Sequence, residues 1–373
     1  MFNFKKYDFK RYNISLLIVT TMLISIGIFL IKQVKPDDYK KQIIGLFGGL
    51  FIALIMSLID YHLICKFYIV LYFINFVLLV LVKLIGVEHY YARRWLDLKF
   101  FELQPSELTK IIFILFFAKL FTIFQHRINN FLFITISVIL MAVPTYLILT
   151  QTDLSTSIVI GLVFVSLIFA AGLSWKIILP IVIIGIPLVM GLFWYVQQDY
   201  QELLEPYQQD RILSILNPEE YPETMYQQEN SIQAIGSGQL IGKTLSELTE
   251  ETSNLRGYRH VPVAESDFIF SVAGEELGFI GSCLILLLLA FIIYKCLTTA
   301  KNAPDRMGML IAVGIASMFA FQIFINIGVV TAILPNTGLP LPFLSQGLSS
   351  LISSMMAIGI ILNIRIQPKK ERR

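Results

Sequence analysis

Ten apolar stretches, each long enough to cross a lipid bilayer, constrain the fold of this chain more than any other feature. A spanning helix needs about 20 mostly apolar residues, because its backbone groups must be satisfied without water. The stretches lie near residues 13–33, 43–60, 66–86, 107–125, 130–150, 155–173, 175–196, 267–295, 306–333 and 343–364. Only 15% of the residues are charged and 56% are hydrophobic, which excludes a soluble enzyme. We therefore predict an all-α integral membrane protein of about ten transmembrane helices, with residues 1–373 as a single polytopic domain.

The distribution of Lys and Arg predicts how these helices are oriented. Basic residues are dense in one set of alternate connections, which includes both termini, and sparse in the other set. Because short cytoplasmic connections carry an excess of Lys and Arg, both termini are predicted to be cytoplasmic. Residues 197–266 then form a large external loop between the seventh and eighth spans, and their aromatic and glycine content favours an ordered loop. The net charge of +3 without a clustered basic face argues against nucleic acid as a partner.

Charged residues at membrane depth are costly, so they are the first candidates for function. Glu107 and Lys110 lie three residues apart on one face of the fourth predicted span, where they can pair. The alternative is an ion pair that reaches out to the membrane interface. Arg93 and Arg94 lie beside Trp95 just outside the membrane, where guanidinium groups can bind phosphate. An aromatic belt with snorkelling arginines has the same pattern.

Four further carboxylates lie at or near the beginning of predicted helices. Asp153 opens the sixth span and Asp267 the eighth, where a carboxylate can cap the first turn. Glu275 and Glu276 follow Asp267 by about two turns, inside an otherwise apolar span. Adjacent carboxylates at that depth need protonation, water or partner groups. The sequence leaves capping and catalysis open for Asp267.

The connection between the last two predicted spans is rich in proline and glycine. Its sequence, NTGLPLPFLSQGLSS, runs from Asn336 and includes Ser345. Irregular backbone at membrane depth is tolerated only where protein or a watery cavity surrounds it. This connection therefore predicts a polar cavity.

Four segments carry a resemblance to a known family: RRWLDLKFFELQPSELTK, YQQENSIQAIGSGQLIGK, SDFIFSVAGEELGFIG and NIGVVTAILPNTGLPLPFLSQGLSS. These segments resemble the motifs of the SEDS family (shape, elongation, division and sporulation), which comprises RodA-, FtsW- and SpoVE-type proteins. They occur in the family's order between about residues 91 and 352. The chain departs from the family pattern at Ser155, Asn230, Gln239, Gln346 and Leu348. Its short termini favour the RodA-like elongation subtype over the division type.

The resemblance implies a glycosyltransferase that polymerises lipid II, the undecaprenyl-pyrophosphate-linked disaccharide-pentapeptide, at the outer face of the bacterial cytoplasmic membrane. Asp267 matches the family's essential external aspartate, which implies a catalytic role. The implied partners are a class B penicillin-binding protein transpeptidase and other proteins of the elongation or division complex. The residues expected to contact substrate are Arg93, Arg94, Lys99, Glu107, Lys110, Asp153, Gly236, Ser237, Gly238 and Ser345.

Glycosyl transfer from a pyrophosphate needs a base for the acceptor hydroxyl and positive charge for the leaving group. Asp267 is the candidate base. Arg93, Arg94, Lys99 or a divalent cation such as Mg²⁺ or Mn²⁺ fits the second role, and no organic cofactor is expected. Two other functions stay open. A lipid II flippase or other transporter also has many spans with intramembrane charge, and a non-catalytic scaffold for a transpeptidase would not need Asp267 for turnover.

Overall fold

The structure is a computed structural model, and it describes residues 7–89, 92–97, 99, 102–198, 200–202, 206–217, 219–246 and 256–368. Its architecture is almost entirely helical. The helices are α1 (Ile14–Val34), α2 (Tyr39–Leu58), α3 (Tyr61–Lys66), α4 (Tyr68–Ile85), α5 (Pro105–Ile123), α6 (Phe131–Leu149), α7 (Leu154–Ala170), α8 (Trp175–Val196), α9 (Pro206–Leu216), α10 (Pro222–Ser237), α11 (Lys243–Ser246), α12 (Ile269–Lys301), α13 (Arg306–Val330) and α14 (Leu348–Ile366). Three short strands follow α4: β1 (Val87–His89), β2 (Ala92–Asp97) and β3 (Glu102–Leu103).

Within the described residues, eight helices are long and apolar enough to cross a membrane, namely α1, α2, α4, α6, α8, α12, α13 and α14. The other two predicted spans are helices as well. α5 carries three charged side chains, Glu107, Lys110 and Lys119, and α7 is 17 residues long. Each of the ten predicted segments is therefore helical, with shifted ends, while the number of crossings, ten, stays a prediction.

The connection between α4 and α5 adds a small antiparallel sheet that the apolar pattern does not reveal. β2 is the central strand and pairs with β1 and β3. Glu88 lies opposite Arg93 in the first pair, and Leu96 lies opposite Leu103 in the second. Because successive side chains of a strand point to opposite faces, Arg93 and Arg94 are directed to different sides of the sheet.

The predicted external segment, which connects α8 to α12, is folded onto the helical bundle where the structure describes it. It contains α9, α10 and α11. The Ser231 hydroxyl on α10 donates to the Val330 carbonyl at 2.8 Å, and the Gln228 amide donates to the Val329 carbonyl at 2.8 Å. These bonds attach α10 to the end of α13, so the segment covers the bundle end that carries Asp267.

The centre of the bundle is built from α5, α7, α13 and α14. In the most apolar stretch of each helix, 78% of α14 and 61% of α13 is buried, whereas none of α8 is. Aromatic rings fill the space between α5 and α7, where the Phe117 and Phe164 centroids are 5.1 Å apart. Gly314 lets α13 approach α5 closely, since a Cβ there would lie 2.6 Å from the Ile114 side chain. The charged pair on α5 therefore lies in a well-packed part of the molecule.

At the bundle end opposite Asp267, His62 joins two carboxylates. Its Nδ1 lies 2.7 Å from Asp60 Oδ1 and its Nε2 lies 2.6 Å from Asp305 Oδ2. The hydrogen bonds to Asp305 and Asp60 raise the pKa of the His62 imidazole to about 9. A charged imidazolium thus links the α2–α3 turn to the α12–α13 turn at neutral pH.

We expect this link to make the folded state less stable as pH rises. The pKa of an unfolded-state histidine is about 6.5, and that of folded His62 is about 9. A raised pKa gives a stabilisation that is complete below the unfolded value and is lost as pH passes through the folded value. Thermal unfolding in detergent across this range tests the expectation. His62→Gln should be less stable than the unaltered protein at low pH and approach it above pH 9, whereas parallel curves would contradict the assignment.

Candidate active site

Asp267 lies where the predicted external segment leads into α12, a candidate membrane span. The residue at the N-cap position of α12 is Phe268, so Asp267 does not occupy the capping position and the cap interpretation is wrong. The Asp267 carboxylate is half-buried and accepts a hydrogen bond from the Ser266 hydroxyl at 3.0 Å. Gly338, with φ of +68°, lies over it, since a Cβ on Gly338 would be 3.2 Å from Asp267 Oδ2. The carboxylate is therefore adjacent to the proline-rich connection that the sequence associates with a cavity.

The main chain around Asp267 is held by donors from α13 and from the connection between α13 and α14. Three consecutive carbonyl groups, those of residues 265–267, each accept one hydrogen bond. The donors are Gln346 N (2.9 Å to Glu265 O), Ser345 Oγ (2.6 Å to Ser266 O) and Asn326 Nδ2 (2.7 Å to Asp267 O). The three bonds fix the path of the backbone that carries the carboxylate.

Ser345 contributes through this contact inside the protein. Its side chain is buried, with 6% of the residue exposed, and its hydroxyl also accepts a hydrogen bond from Leu341 N at 2.8 Å. The Ser345 hydroxyl thus donates its hydrogen to the Ser266 carbonyl, and this hydrogen is not free to bind a substrate. Ser345 therefore supports the main chain beside Asp267, and its predicted substrate contact stays a prediction.

The connection between α1 and α2 reaches the same place. Lys35 forms an ion pair with Glu265, two residues before Asp267, and the Gln346 amide donates to Asp38 Oδ2 at 3.1 Å. Sequence reasoning missed these contacts. Lys35 and Glu265 are separated by 230 positions, and no motif connects residues across that distance.

The three predicted phosphate-binding residues lie in different surroundings. Arg93 is exposed and its Nε lies 3.1 Å from Glu88 Oε2. Arg94 turns inward, where it donates to the Thr152 carbonyl at 2.6 Å. Lys99 is exposed and has a positive φ of 68°. The side chains of Arg93 and Lys99 therefore lie at the protein surface, while Arg94 supports the α6–α7 turn. Phosphate binding by these residues stays a prediction.

Asp153 combines a cap with a contact between helices. Its carboxylate accepts from Thr156 N at 3.1 Å, which confirms the predicted capping role, and from the Ser106 hydroxyl on α5 at 3.2 Å. Two residues on, the Ser155 hydroxyl donates to the Thr337 carbonyl. Ser155 is one of the departures from the family pattern. In this chain it supports the turn that carries Gly338.

Glu107 and Lys110 form the ion pair that their spacing predicted. Lys110 Nζ lies 2.8 Å from Glu107 Oε1, and each side chain is only 2% exposed. The Ser353 hydroxyl of α14 donates to the other oxygen, Glu107 Oε2, at 3.0 Å. The pair is buried, which excludes the alternative of an interfacial pair that reaches out to water.

The Gly236–Ser237–Gly238 motif ends α10 and packs on α12. A Cβ on Gly238 would lie 2.0 Å from the Gly274 carbonyl oxygen, so the close approach that glycine permits there is used by α12. The close approach of a substrate to Gly238 stays a prediction. The Ser237 hydroxyl donates to the Ala234 carbonyl at 2.8 Å. Gly236 has open space where a Cβ would be, and its substrate contact stays a prediction.

The two adjacent glutamates, Glu275 and Glu276, obtain their partners from the predicted external segment. Glu275 pairs with Lys243 and accepts hydrogen bonds from Gly257 N and Tyr258 N, both at 2.8 Å. Glu276 pairs with Arg256 at 3.2 Å. The sequence analysis predicted that these carboxylates need protonation, water or partner groups, and these contacts are such partner groups. They anchor the segment on α12 and do not form a second acid–base site.

Among the described residues, no three His, Cys, Asp or Glu side chains converge in a way that could hold a metal ion. Mg²⁺ in phosphate-processing enzymes is often held by one or two carboxylates together with substrate phosphate oxygens. A divalent cation bound in that manner stays a prediction.

Comparison of the sequence with known proteins points to one family. The model of the FtsW/RodA/SpoVE family, described as cell cycle proteins, matches residues 10–370. Stage V sporulation protein E of Bacillus subtilis is 34% identical over 94% of this chain and 95% of its own length. Peptidoglycan glycosyltransferase MrdB of Escherichia coli is 34% identical over 80% of this chain and 78% of its own length.

Two solved structures are similar over nearly the whole fold. A chain from a structure described as showing structural coordination of polymerization and crosslinking by a peptidoglycan synthase complex superposes with a TM-score of 0.80 at 27% identity, covering 95% of this chain and 97% of that one. The rod shape determining protein RodA of Thermus thermophilus superposes with a TM-score of 0.68 at 26% identity, covering 97% and 98%. The chain therefore belongs to the FtsW/RodA/SpoVE family of membrane proteins, the SEDS family that its motifs resemble.

Proposed function

We propose that this protein is a peptidoglycan glycosyltransferase that polymerises lipid II into glycan strands at the outer face of the cytoplasmic membrane. The observation that carries the proposal is the half-buried Asp267 carboxylate, fixed between the external segment, α12 and the turn at Gly338. The family relatives named peptidoglycan glycosyltransferases support the reaction class.

In the proposed reaction, Asp267 removes the proton from the acceptor sugar hydroxyl as that oxygen bonds to the anomeric carbon of the donor. The bond from this carbon to the pyrophosphate oxygen breaks, and its electron pair leaves with the pyrophosphate. Attack from the face opposite an α-linked pyrophosphate gives a β-linked glycan. The exposed Arg93 and Lys99, or a divalent cation, would stabilise the departing negative charge. The buried Glu107–Lys110 pair would support the site from inside the bundle, where Ser353 of α14 donates to Glu107.

The proposed partner is a class B penicillin-binding protein transpeptidase, with other proteins of the elongation or division complex. The similar chain from a peptidoglycan synthase complex supports a partnership of this kind. For the cellular role we propose elongation, in line with the similarity to RodA, a rod shape determining protein. A fluorescent fusion distributed along the side wall is expected, and one confined to the septum would assign the protein to division instead.

Purified protein incubated with lipid II and its transpeptidase partner tests the function. We expect glycan chains to form from lipid II without any movement of lipid II across a membrane. A flippase would move lipid II across vesicle membranes without joining it, and a scaffold would leave lipid II unchanged unless another polymerase were added.

The proposed topology has its own test. We expect both termini in the cytoplasm and residues 197–266 outside, from the Lys and Arg asymmetry. In a variant without its natural cysteines, an impermeant thiol reagent should label intact cells with a cysteine at position 222, which is exposed at the start of α10. A cysteine at position 3 should react only after the cells are opened. The reverse pattern would overturn the orientation.

A further inference from the structure

We infer that Asn326, Ser345 and Gln346 form a backbone clamp whose task is to position Asp267 for proton transfer, with Asn326 as its central positioning residue. The inference rests on the proposed role of Asp267 as general base. Asn326 is an uncharged residue of α13 that lies inside the bundle and has no acid–base chemistry of its own.

The clamp acts on the main chain. Its three donors bind the carbonyls of three consecutive residues, 265–267. These residues precede the first helical residue of α12, Ile269. Their backbone angles are therefore not imposed by the α12 helix, and the clamp supplies the missing restraint.

Asn326 contributes more than one bond. Its Nδ2 donates to the Asp267 carbonyl at 2.7 Å and to the Leu339 carbonyl at 2.7 Å, so both amide hydrogens are used. Leu339 follows Gly338, which lies over the Asp267 carboxylate. One side chain thus holds the base and the turn above it at a fixed separation.

The burial of Asn326 makes this arrangement specific. The residue is 1% exposed, and a buried amide is costly unless its hydrogen bonds are made. Its Oδ1 has no hydrogen-bond partner among the described residues. Within the described residues, the hydrogen bonds of this side chain are therefore the two that its Nδ2 donates. An Asp would place a carboxylate oxygen against two carbonyl oxygens, and a Leu of similar size would leave both carbonyls without their donor.

A general base must lie within hydrogen-bond reach of the proton that it removes. Displacement of a reacting group by about 1 Å can lower the rate by about 10²-fold. Loss of the clamp is therefore expected to lower the maximal rate of glycan synthesis while leaving the binding of lipid II nearly unchanged, because the residues proposed to bind the pyrophosphate, Arg93 and Lys99, lie on the α4–α5 connection.

The test compares Asn326→Leu with Asn363→Leu in the full-length protein together with its transpeptidase partner. Asn363 is a matched control because it is also fully buried and also joins two elements, accepting from Tyr61 N at 3.0 Å and donating to the Ser57 carbonyl at 2.8 Å. These contacts lie at the opposite end of the bundle. Melting temperature, lipid II binding and the maximal polymerisation rate are measured for both variants.

Both variants should melt at lower temperature, but only Asn326→Leu should lose about 10²-fold in maximal rate with lipid II binding retained. Equal rate losses in the two variants, or a normal rate in Asn326→Leu, would overturn the inference.

If Asn326→Leu does not fold, Ser345→Ala tests the same clamp with a smaller change. It removes only the bond to the Ser266 carbonyl and the acceptor for Leu341 N. A lower maximal rate at unchanged lipid II binding supports the clamp, and an unaltered rate refutes it. Failure of the proposed base is seen separately, because Asp267→Asn would then remain active whatever the clamp variants do.

Discussion

Asp267→Asn is expected to abolish glycan synthesis while leaving the protein folded. An amide cannot take the acceptor proton, and loss of a positioned base typically costs about 10²- to 10⁴-fold in rate. Folding should survive, because the segment is held through its main-chain carbonyls, which the substitution does not change. The amide oxygen of Asn can still accept the hydrogen bond that the Ser266 hydroxyl gives to the carboxylate.

The measurement is the polymerisation of lipid II by the purified variant with its transpeptidase partner. Asp37→Asn is a suitable control, because Asp37 is an exposed carboxylate on the α1–α2 connection. It should retain the normal rate. If Asp267→Asn elongates lipid II at a rate near that of the unaltered protein, Asp267 is not the general base.

Lys110→Ala is expected to damage both stability and activity, whereas Lys40→Ala should do neither. Lys110 is paired with Glu107 at 2.8 Å, and both side chains are only 2% exposed. Removal of one partner of a buried pair leaves an uncompensated charge and typically costs about 3–5 kcal/mol. Lys40 is exposed, and substitutions at such positions usually stay within about 0.5 kcal/mol.

A double variant separates structural support from function. Glu107→Gln added to Lys110→Ala removes the unpaired charge, so thermal stability should recover while polymerisation stays low. Recovery of both properties would make the pair a structural element only. Near-normal activity of Lys110→Ala at matched expression would remove the pair from the mechanism altogether.

The sequence predicted best where a pattern lies within one helix. Hydropathy located the helices, because a spanning segment must be apolar along its whole length. The Glu107–Lys110 pair followed from helical spacing, since residues three apart lie on the same face. The prediction that Asp153 caps its helix also depended only on local chain geometry.

Contacts between distant parts of the chain could not be predicted in this way. Asn326 and Asp267 are 59 residues apart, and their contact depends on how α13 packs beside α12. Asp267 was interpreted as a possible cap because the helix was expected to start two residues earlier than it does. The sheet at Arg93 was missed because strands of two to six residues carry little periodic signal.

The anchoring of the predicted external segment by Glu275 and Glu276 has a consequence for how the protein is made. Their partners, Lys243, Arg256 and the backbone near Tyr258, lie 17 to 32 residues earlier in the chain. Synthesis runs from the N-terminus, so the segment emerges before the two carboxylates exist. Its anchorage therefore waits for α12, which is inserted with two carboxylates that the segment then neutralises. The contacts of the segment with α12 therefore form only after the eighth predicted span has been made, and those of α10 with Val329 and Val330 only after α13 has followed.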